Sequence, residues 1–97
     1  MTMAAHDSLY TWLVDANQVA FAQRDYPAAR QALESALAVA VAGRDGEAVA
    51  EVTRLGQAQQ AWMRQHEPSG QDVSYTDLLQ RAQQAYRDLT SPYPAKL

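Results

Sequence analysis

Pro27 constrains the fold more than any other residue, because it lies inside the helix-favouring stretch RDYPAARQALESAL of residues 24–37. Alanine, glutamine and arginine side chains lose little rotamer freedom in a helix. A proline in a helix interior costs about 3 kcal/mol, whereas one in the first turn costs nothing comparable. It also disfavours helical dihedrals at Tyr26. We therefore predict that the chain breaks at Asp25-Tyr26 and that a new helix begins at Pro27.

The sequence predicts an all-α fold of four antiparallel helices, arranged as two stacked hairpins or as a four-helix bundle, in one domain. The predicted helices span residues 8–23, 27–42, 47–65 and 74–89, with an irregular tail over 90–97. We expect the following boundary residues: Asp7 or Ser8, Asp45, and Ser74 with Asp77 as N-terminal caps, Gly43 as the end of helix two, and Pro68–Gly70 as a break. The alternating run ALAVAVA of residues 36–42 could pass for a strand, but it continues the helical pattern.

The apolar residues of each predicted helix fall on stripes at helical spacing. Helix one has two such sets on different faces, and it should therefore contact more than one neighbour or offer an apolar face to a partner. The first set is Leu9, Leu13, Ala16 and Ala20, and the second is Tyr10, Val14 and Phe21. The stripes of the other helices are Ala29, Leu33, Ala36, Leu37 and Ala40; Ala48, Val52, Leu55, Gln59 and Trp62; and Tyr75, Leu78, Leu79, Ala82, Ala85, Tyr86 and Leu89.

The composition excludes several classes of function. Eleven acidic and eight basic residues give a net charge of −3, which provides no general attraction to nucleic acid. The chain has no cysteine, so thiolate metal sites and cysteine nucleophiles are excluded. It begins without a signal-peptide pattern, and its longest apolar run is about a third of a membrane span. We therefore expect a cytoplasmic protein, and the bias towards alanine and arginine suggests a GC-rich bacterial source.

Part of the chain, from about Trp12 to Met63, resembles a tetratricopeptide repeat. Asp25-Tyr26 matches the turn between the two helices of a repeat, and Ala29, Leu33 and Ala36 match its three packing positions. Leu55-Gly56 is similar to the Leu-Gly pair of the first helix of a repeat, where glycine admits a neighbouring helix. The first unit departs from this pattern with Ala16-Asn17, and its spacing to the second unit is 39 residues.

In this family the first helix of each pair lines a concave groove that holds extended peptides or helices. The resemblance therefore implies a binding groove, and carried onto this sequence its lining residues are Thr11, Val14, Gln18 and Phe21, with Thr53, Arg54, Gln57 and Gln60 from the third helix. Gln18 and Gln57 could bond a peptide backbone, and Arg54 could meet an acidic group. The equally simple alternative is that the polar members are only solvated.

The residue types that most often act in catalysis or metal binding show no pattern that predicts an enzyme. His6 and His66 are far apart and lack a cluster of ligands at metal spacing, so we predict surface histidines and no metal. Glu47, Glu51 and Arg54 share a helix face in a pattern typical of solvated charges. No glycine-rich phosphate loop is present, and we predict no cofactor.

These observations favour a non-enzymatic protein–protein interaction module that binds a peptide or helix of a partner. Two alternatives stay open: a small DNA-associated transcriptional regulator that reads DNA with helix three or four, and a self-associating structural bundle. Because two repeats rarely bury their apolar faces alone, we also expect the chain to cap itself with helix four and the tail, or to form a homodimer.

Overall fold

The computed structural model describes residues 5–67 and 73–90, and these residues form an all-α fold. The helices are α1 (Ala5–Ala22), α2 (Tyr26–Ala42), α3 (Gly46–His66) and α4 (Thr76–Thr90). The predicted fold class is therefore confirmed, and residues 36–42 are helical rather than a strand. The predicted break at Pro68–Gly70 and the tail after Thr90 lie outside the described residues.

A tight turn of three residues before Pro27 connects α1 to α2. The Asp25 amide donates to the Ala20 carbonyl at 2.9 Å, which satisfies the end of α1. The Asp25 carboxylate then accepts from the Ala28 amide at 3.3 Å and caps α2, with Pro27 in the first turn. Pro27 is thus compatible with the start of a helix, as its sequence context predicts.

The connection between α2 and α3 repeats this geometry twenty residues later in the chain. The Asp45 amide donates to the Ala40 carbonyl at 2.9 Å, and its carboxylate accepts from the Ala48 amide at 3.1 Å. In both turns an arginine before the aspartate takes the left-handed conformation, with φ of 62° at Arg24 and 53° at Arg44. Both connections therefore contain an Arg-Asp pair in the same conformation: Arg24-Asp25 between α1 and α2, and Arg44-Asp45 between α2 and α3.

Three of the predicted boundary residues act differently in the structure. Helix α1 begins at Ala5, so Asp7 and Ser8 lie inside it rather than before its first residue. Gly43 ends α2 as predicted, but in a right-handed helical conformation, because Arg44 takes the left-handed position that a terminal glycine often fills. Helix α4 begins at Thr76, and the Ser74 hydroxyl accepts from the Thr76 amide at 3.2 Å rather than from a residue further along the first turn.

The helices pack as two successive hairpins in two layers. Helix α1 packs on α2, α3 on α4, and α2 on α3. Helices α1 and α3 lie side by side and run in the same direction. Tyr10, early in α1, bonds Ala48, early in α3, and Asn17, later in α1, bonds Gln59, later in α3. Contacts from Arg30 to Ser74 and from Glu34 to Arg81 join α2 to the start and middle of α4 in the same way.

The core lies between the layers and contains most of the predicted stripes of α2, α3 and α4, but the prediction for Tyr86 is wrong, because its side chain is 42% exposed. Leu33, Val49, Val52 and Leu78 are fully buried. At Gly56, an added Cβ would lie 2.8 Å from Leu79 Cδ2 of α4. The glycine therefore makes room for a neighbouring helix, as expected, although the group that approaches it most closely is a side chain.

A buried amide network in the core joins α1, α2 and α3 to the residue that precedes α4. The Asn17 amide donates to the Ala29 carbonyl of α2 at 2.8 Å and to Gln59 Oε1 of α3 at 3.1 Å, and Gln59 Nε2 donates back to Asn17 Oδ1 at 2.6 Å. The Tyr75 hydroxyl, just before α4, donates to Gln59 Oε1 at 2.9 Å. Burial raises the pKa of Tyr75 to about 12, so its hydroxyl stays a donor at neutral pH.

Candidate interaction surfaces

Helix α1 carries an apolar row that the described chain leaves in solvent. Leu9, Trp12 and Val19 are 48%, 65% and 57% exposed, and half-buried Ala16 lies between them. Steps of three, four and three residues place these side chains within about 80° of the helix surface. We call Leu9, Trp12, Ala16 and Val19 the α1 stripe. Scattered exposed apolar residues are ordinary, but a contiguous row on one helix is typical of a docking surface.

The face of α1 next to the stripe is packed into the protein. Asn17 is its centre, with contacts to α2 on one side and to α3 on the other. Val14 is also buried, and Leu13 is half-buried against the core. The prediction that Leu9 belongs to the core stripe of helix one is therefore wrong. The physical reason is that α2 and α3 both cover the face around Asn17, about 80° away from Leu9.

The eight groove residues that the resemblance implies lie in different environments. Thr11 and Gln18 of α1 are exposed, and so are Arg54 and Gln57 of α3. Val14 belongs to the core, where it is 9% exposed. Four polar residues of the predicted groove are therefore at the surface, whereas the apolar Val14 is not available to a partner.

The remaining groove residues are engaged within the protein. Phe21 is half-buried, and its ring centroid lies 5.4 Å from that of Tyr26 and 5.5 Å from that of Trp62. The Thr53 hydroxyl donates to the Val49 carbonyl at 3.0 Å. Gln60 Oε1 accepts from the Tyr75 amide at 2.9 Å, which turns this side chain towards the start of α4. The face between α1 and α3 thus offers hydrogen-bonding groups but little apolar area.

An open cleft of about 1050 Å³ lies where the start of α3 meets α1 and the end of α4. Tyr10, Glu51 and Arg54 line it together with the turn before α3. The Tyr10 hydroxyl donates to Glu51 Oε1 at 2.7 Å. Burial, followed by this bond to a carboxylate, raises the pKa of Tyr10 well above its usual range. The Tyr10 hydroxyl therefore joins α1 to the first turns of α3 through Glu51 and the Ala48 carbonyl.

At the other end of α1, an aromatic cluster joins the end of α1 to the end of α3. Trp62 stacks on His66 with ring centroids 4.4 Å apart, and the Arg24 guanidinium lies 5.8 Å from the Trp62 ring centroid. Arg24 also pairs with Glu67 at 2.9 Å. His66 is exposed, as predicted, while the side chain of His6 lies outside the described residues. These contacts pack the end of α1 and the turn after it against the end of α3.

The face of α2 and α4 is polar, and its charges are paired. Arg81 bonds Glu34 and lies 3.4 Å from Asp77. Arg30 lies 3.2 Å from Glu34 and donates to the Ser74 carbonyl at 2.9 Å. The guanidinium of Arg81 holds the pKa of Glu34 below its usual value, with the charge of Arg30 acting in the same direction. The charges of Arg30, Glu34, Asp77 and Arg81 are therefore engaged with one another on this face.

Over residues 5–67 and 73–90, no cluster of three or more histidine, aspartate or glutamate side chains is placed to hold a metal ion. None of the helices in these ranges combines the length and the apolar character that a membrane crossing requires. Comparison with protein-family models, curated protein sequences and solved structures finds no significant match. The surfaces described above are therefore the basis for any statement about function.

Sequence reasoning allowed for an exposed apolar face on helix one, but it did not identify the residues of the α1 stripe. Trp12 and Val19 are seven residues apart, which puts them on one helix face, and Leu9 and Ala16 complete a row at 3-4-3 spacing. The same four residues also fit a buried stripe, so periodicity by itself does not separate core from interface. The signal available was that helix one has more apolar residues than one buried face can hold.

Proposed function

We propose that this protein is a non-enzymatic interaction module that docks an amphipathic helix of a protein partner on the α1 stripe. The observation that carries the proposal is the exposure of Leu9, Trp12 and Val19 in one row, with Trp12 65% exposed. A partner helix would present apolar residues at i, i+3 or i+4 and i+7 to such a row. A cytoplasmic, bacterial setting is part of the proposal and rests on composition.

Trp12 is the expected anchor of this contact. Tryptophan buries on the order of 200 Å² in an interface and is enriched among the residues whose truncation costs about 2 kcal/mol or more. Gln18, Arg54 and Gln57, which are exposed members of the predicted groove, offer hydrogen-bonding groups without an apolar anchor. We therefore assign the main contact to the stripe and leave to these three residues a secondary contact with a peptide backbone.

A capture experiment with two matched variants tests this function. Trp12→Glu places a charge in the stripe, while Tyr86→Glu makes the same change at an aromatic residue of α4 that is 42% exposed. Each purified protein is immobilised and incubated with an extract of its host, and helicity is measured by circular dichroism. We expect Trp12→Glu to keep its helicity but to lose the proteins that the wild type and Tyr86→Glu capture.

Equal capture by all three proteins would contradict the assignment of the stripe. The DNA-associated alternative is tested on the same samples by electrophoretic mobility of duplex DNA at low and high salt. A shift that disappears as salt rises would favour a regulator, because phosphate contacts release counterions. We expect no shift, since Arg24, Arg30 and Arg81 are engaged with carboxylates of the same chain.

A further inference from the structure

The α1 stripe is complementary to itself under two-fold symmetry. Its residue numbers are symmetric about position 14, so an antiparallel second copy of α1 would place its Val19 opposite Leu9 and its Ala16 opposite Trp12. On the basis of the proposed function, we infer that the helix docked on this stripe is α1 of a second copy, and that the protein forms a two-fold symmetric, antiparallel dimer. Such an isologous contact closes on itself after two chains.

The sizes of the four side chains select the antiparallel arrangement. Opposite Trp12, the small Ala16 of the second copy leaves space for the indole ring, while Leu9 and Val19 fill the two ends with similar volumes. A parallel pairing would instead place Trp12 against its own copy and Ala16 against its own copy, which combines overcrowding with a void. Close packing at an interface core resembles that of a protein interior, so this difference decides the direction.

The area of the stripe is sufficient for a weak specific dimer. About two-thirds of Trp12 and about half of Leu9 and of Val19 are exposed. With its half-buried neighbours, a stripe of this kind offers on the order of 500 Å² per copy, or about 1000 Å² in total, which is near the lower limit of specific interfaces. An interface near this limit is typical of a dimer that dissociates on dilution rather than of an obligate one.

The chemistry of the surrounding surfaces favours the same occupant. The stripe carries no charge, and Asp15 of α1 lies to one side of it. The exposed part of α4, in contrast, consists largely of polar and charged side chains, namely Gln80, Gln83, Gln84, Arg87 and Asp88. Head-to-tail stacking of the stripe on α4 would bury these groups without partners. Among the described residues, Val41 and Tyr86 are also exposed but lie singly on α2 and α4, whereas a second stripe offers three exposed apolar residues in one row.

Thiol cross-linking tests both the dimer and its direction, since the chain has no cysteine of its own. The variants are Leu9→Cys and Val19→Cys, examined separately and as a mixture, with a thiol reagent too short to span 15 Å. In the antiparallel dimer the two changed positions face each other across the interface. Position 9 lies about 15 Å along the axis from its own copy, because each residue advances the helix by about 1.5 Å. We expect cross-linked dimer from the mixture and little from either variant alone.

Cross-linking of Leu9→Cys with itself would overturn the antiparallel arrangement. Failure of the mixture to cross-link, together with a monomeric mass of the wild type in sedimentation equilibrium, would overturn the dimer. That result would leave the proposed function standing if Trp12→Glu still lost the captured partner, because the stripe would then hold a different protein. A Trp12→Glu variant that keeps both self-association and capture would contradict both proposals. Salt distinguishes the contact further: an uncharged interface should persist as ionic strength rises.

Discussion

At the scale of single residues, Asn17 shows how much a polar side chain can determine in an apolar core. It is fully buried and contacts both α2 and α3 through one amide group. Gln59 faces Asn17 from the stripe of α3, and the two amides satisfy each other's hydrogen bonds.

We expect Asn17→Ala to lower the free energy of unfolding by about 2–3 kcal/mol. The substitution leaves Gln59 Nε2 buried without its partner and opens a small cavity. Urea unfolding of Asn17→Ala, with Gln83→Ala on the exposed face of α4 as the control, measures the effect. A loss no greater than that of the control would show that the network contributes nothing to stability.

Arg44 is the second informative residue, because its left-handed backbone is strained for any side chain with a Cβ. We expect Arg44→Gly to be more stable to unfolding than Arg44→Ala by about 1 kcal/mol, since glycine adopts this conformation without the steric cost. The alanine variant is the matched control, because both substitutions remove the same guanidinium. Equal stability of the two variants would mean that the turn relaxes to another conformation.

At the scale of the helices, the sequence was sufficient for their number and their order. Proline at the start of α2 and aspartate before α2 and α3 have local effects on the backbone, so their consequences can be predicted without knowledge of the fold. The faces of α1 could not be predicted in the same way. Which apolar face is buried depends on the positions of α2 and α3, and these follow from long-range contacts such as those of Asn17.

Gly56 tests the packing between α3 and α4. A methyl group there would gain about 1 kcal/mol of helix propensity, but it would meet Leu79 Cδ2 at 2.8 Å. We expect overpacking to exceed this gain, so that Gly56→Ala lowers the free energy of unfolding by about 1 kcal/mol. In a Leu79→Val background, which removes a methylene, the same substitution should be neutral or stabilising.

The exposed Ala58 of the same helix provides the control for Gly56. Ala58→Gly measures the propensity difference without the contact, and thermal unfolding of the wild type, the three single variants and the double variant gives the comparison. If Gly56→Ala raises the stability by as much as Ala58→Gly lowers it, the close contact with Leu79 is without energetic consequence.

At the scale of the whole molecule, the two ends of the stack differ in character. The outer part of α4 is polar, whereas α1 ends the stack on the other side with exposed apolar residues. Between them, Glu34 of α2 joins the two hairpins through Arg81 of α4. Among the described residues the exposed apolar row lies at the α1 end, which is where the proposed contact with a second copy is placed.

The pairing of the hairpins through Glu34 predicts a dependence of stability on pH. The pKa of Glu34 is lowered from its ordinary value of 4.5, chiefly by the bond from Arg81. Its contribution is therefore complete above about pH 4.5 and is lost as the pH falls through the lower pKa of the folded state. We expect Glu34→Gln to reduce the loss of unfolding free energy between neutral and acidic pH, by more than Glu47→Gln does. An identical loss in both variants would show that this carboxylate does not couple the hairpins.

The central claim is that the apolar α1 stripe is a protein-binding surface and that a second copy of the chain covers it. Sedimentation equilibrium of the wild type, Trp12→Glu and Tyr86→Glu over a wide range of concentration tests it most directly. We expect the wild type and Tyr86→Glu to pass from monomer to dimer, and Trp12→Glu to weaken this association by about 30-fold or more, as expected for loss of a central aromatic anchor. A wild-type protein that stays monomeric at every concentration, or a Trp12→Glu variant that dimerises like the wild type, would contradict the claim.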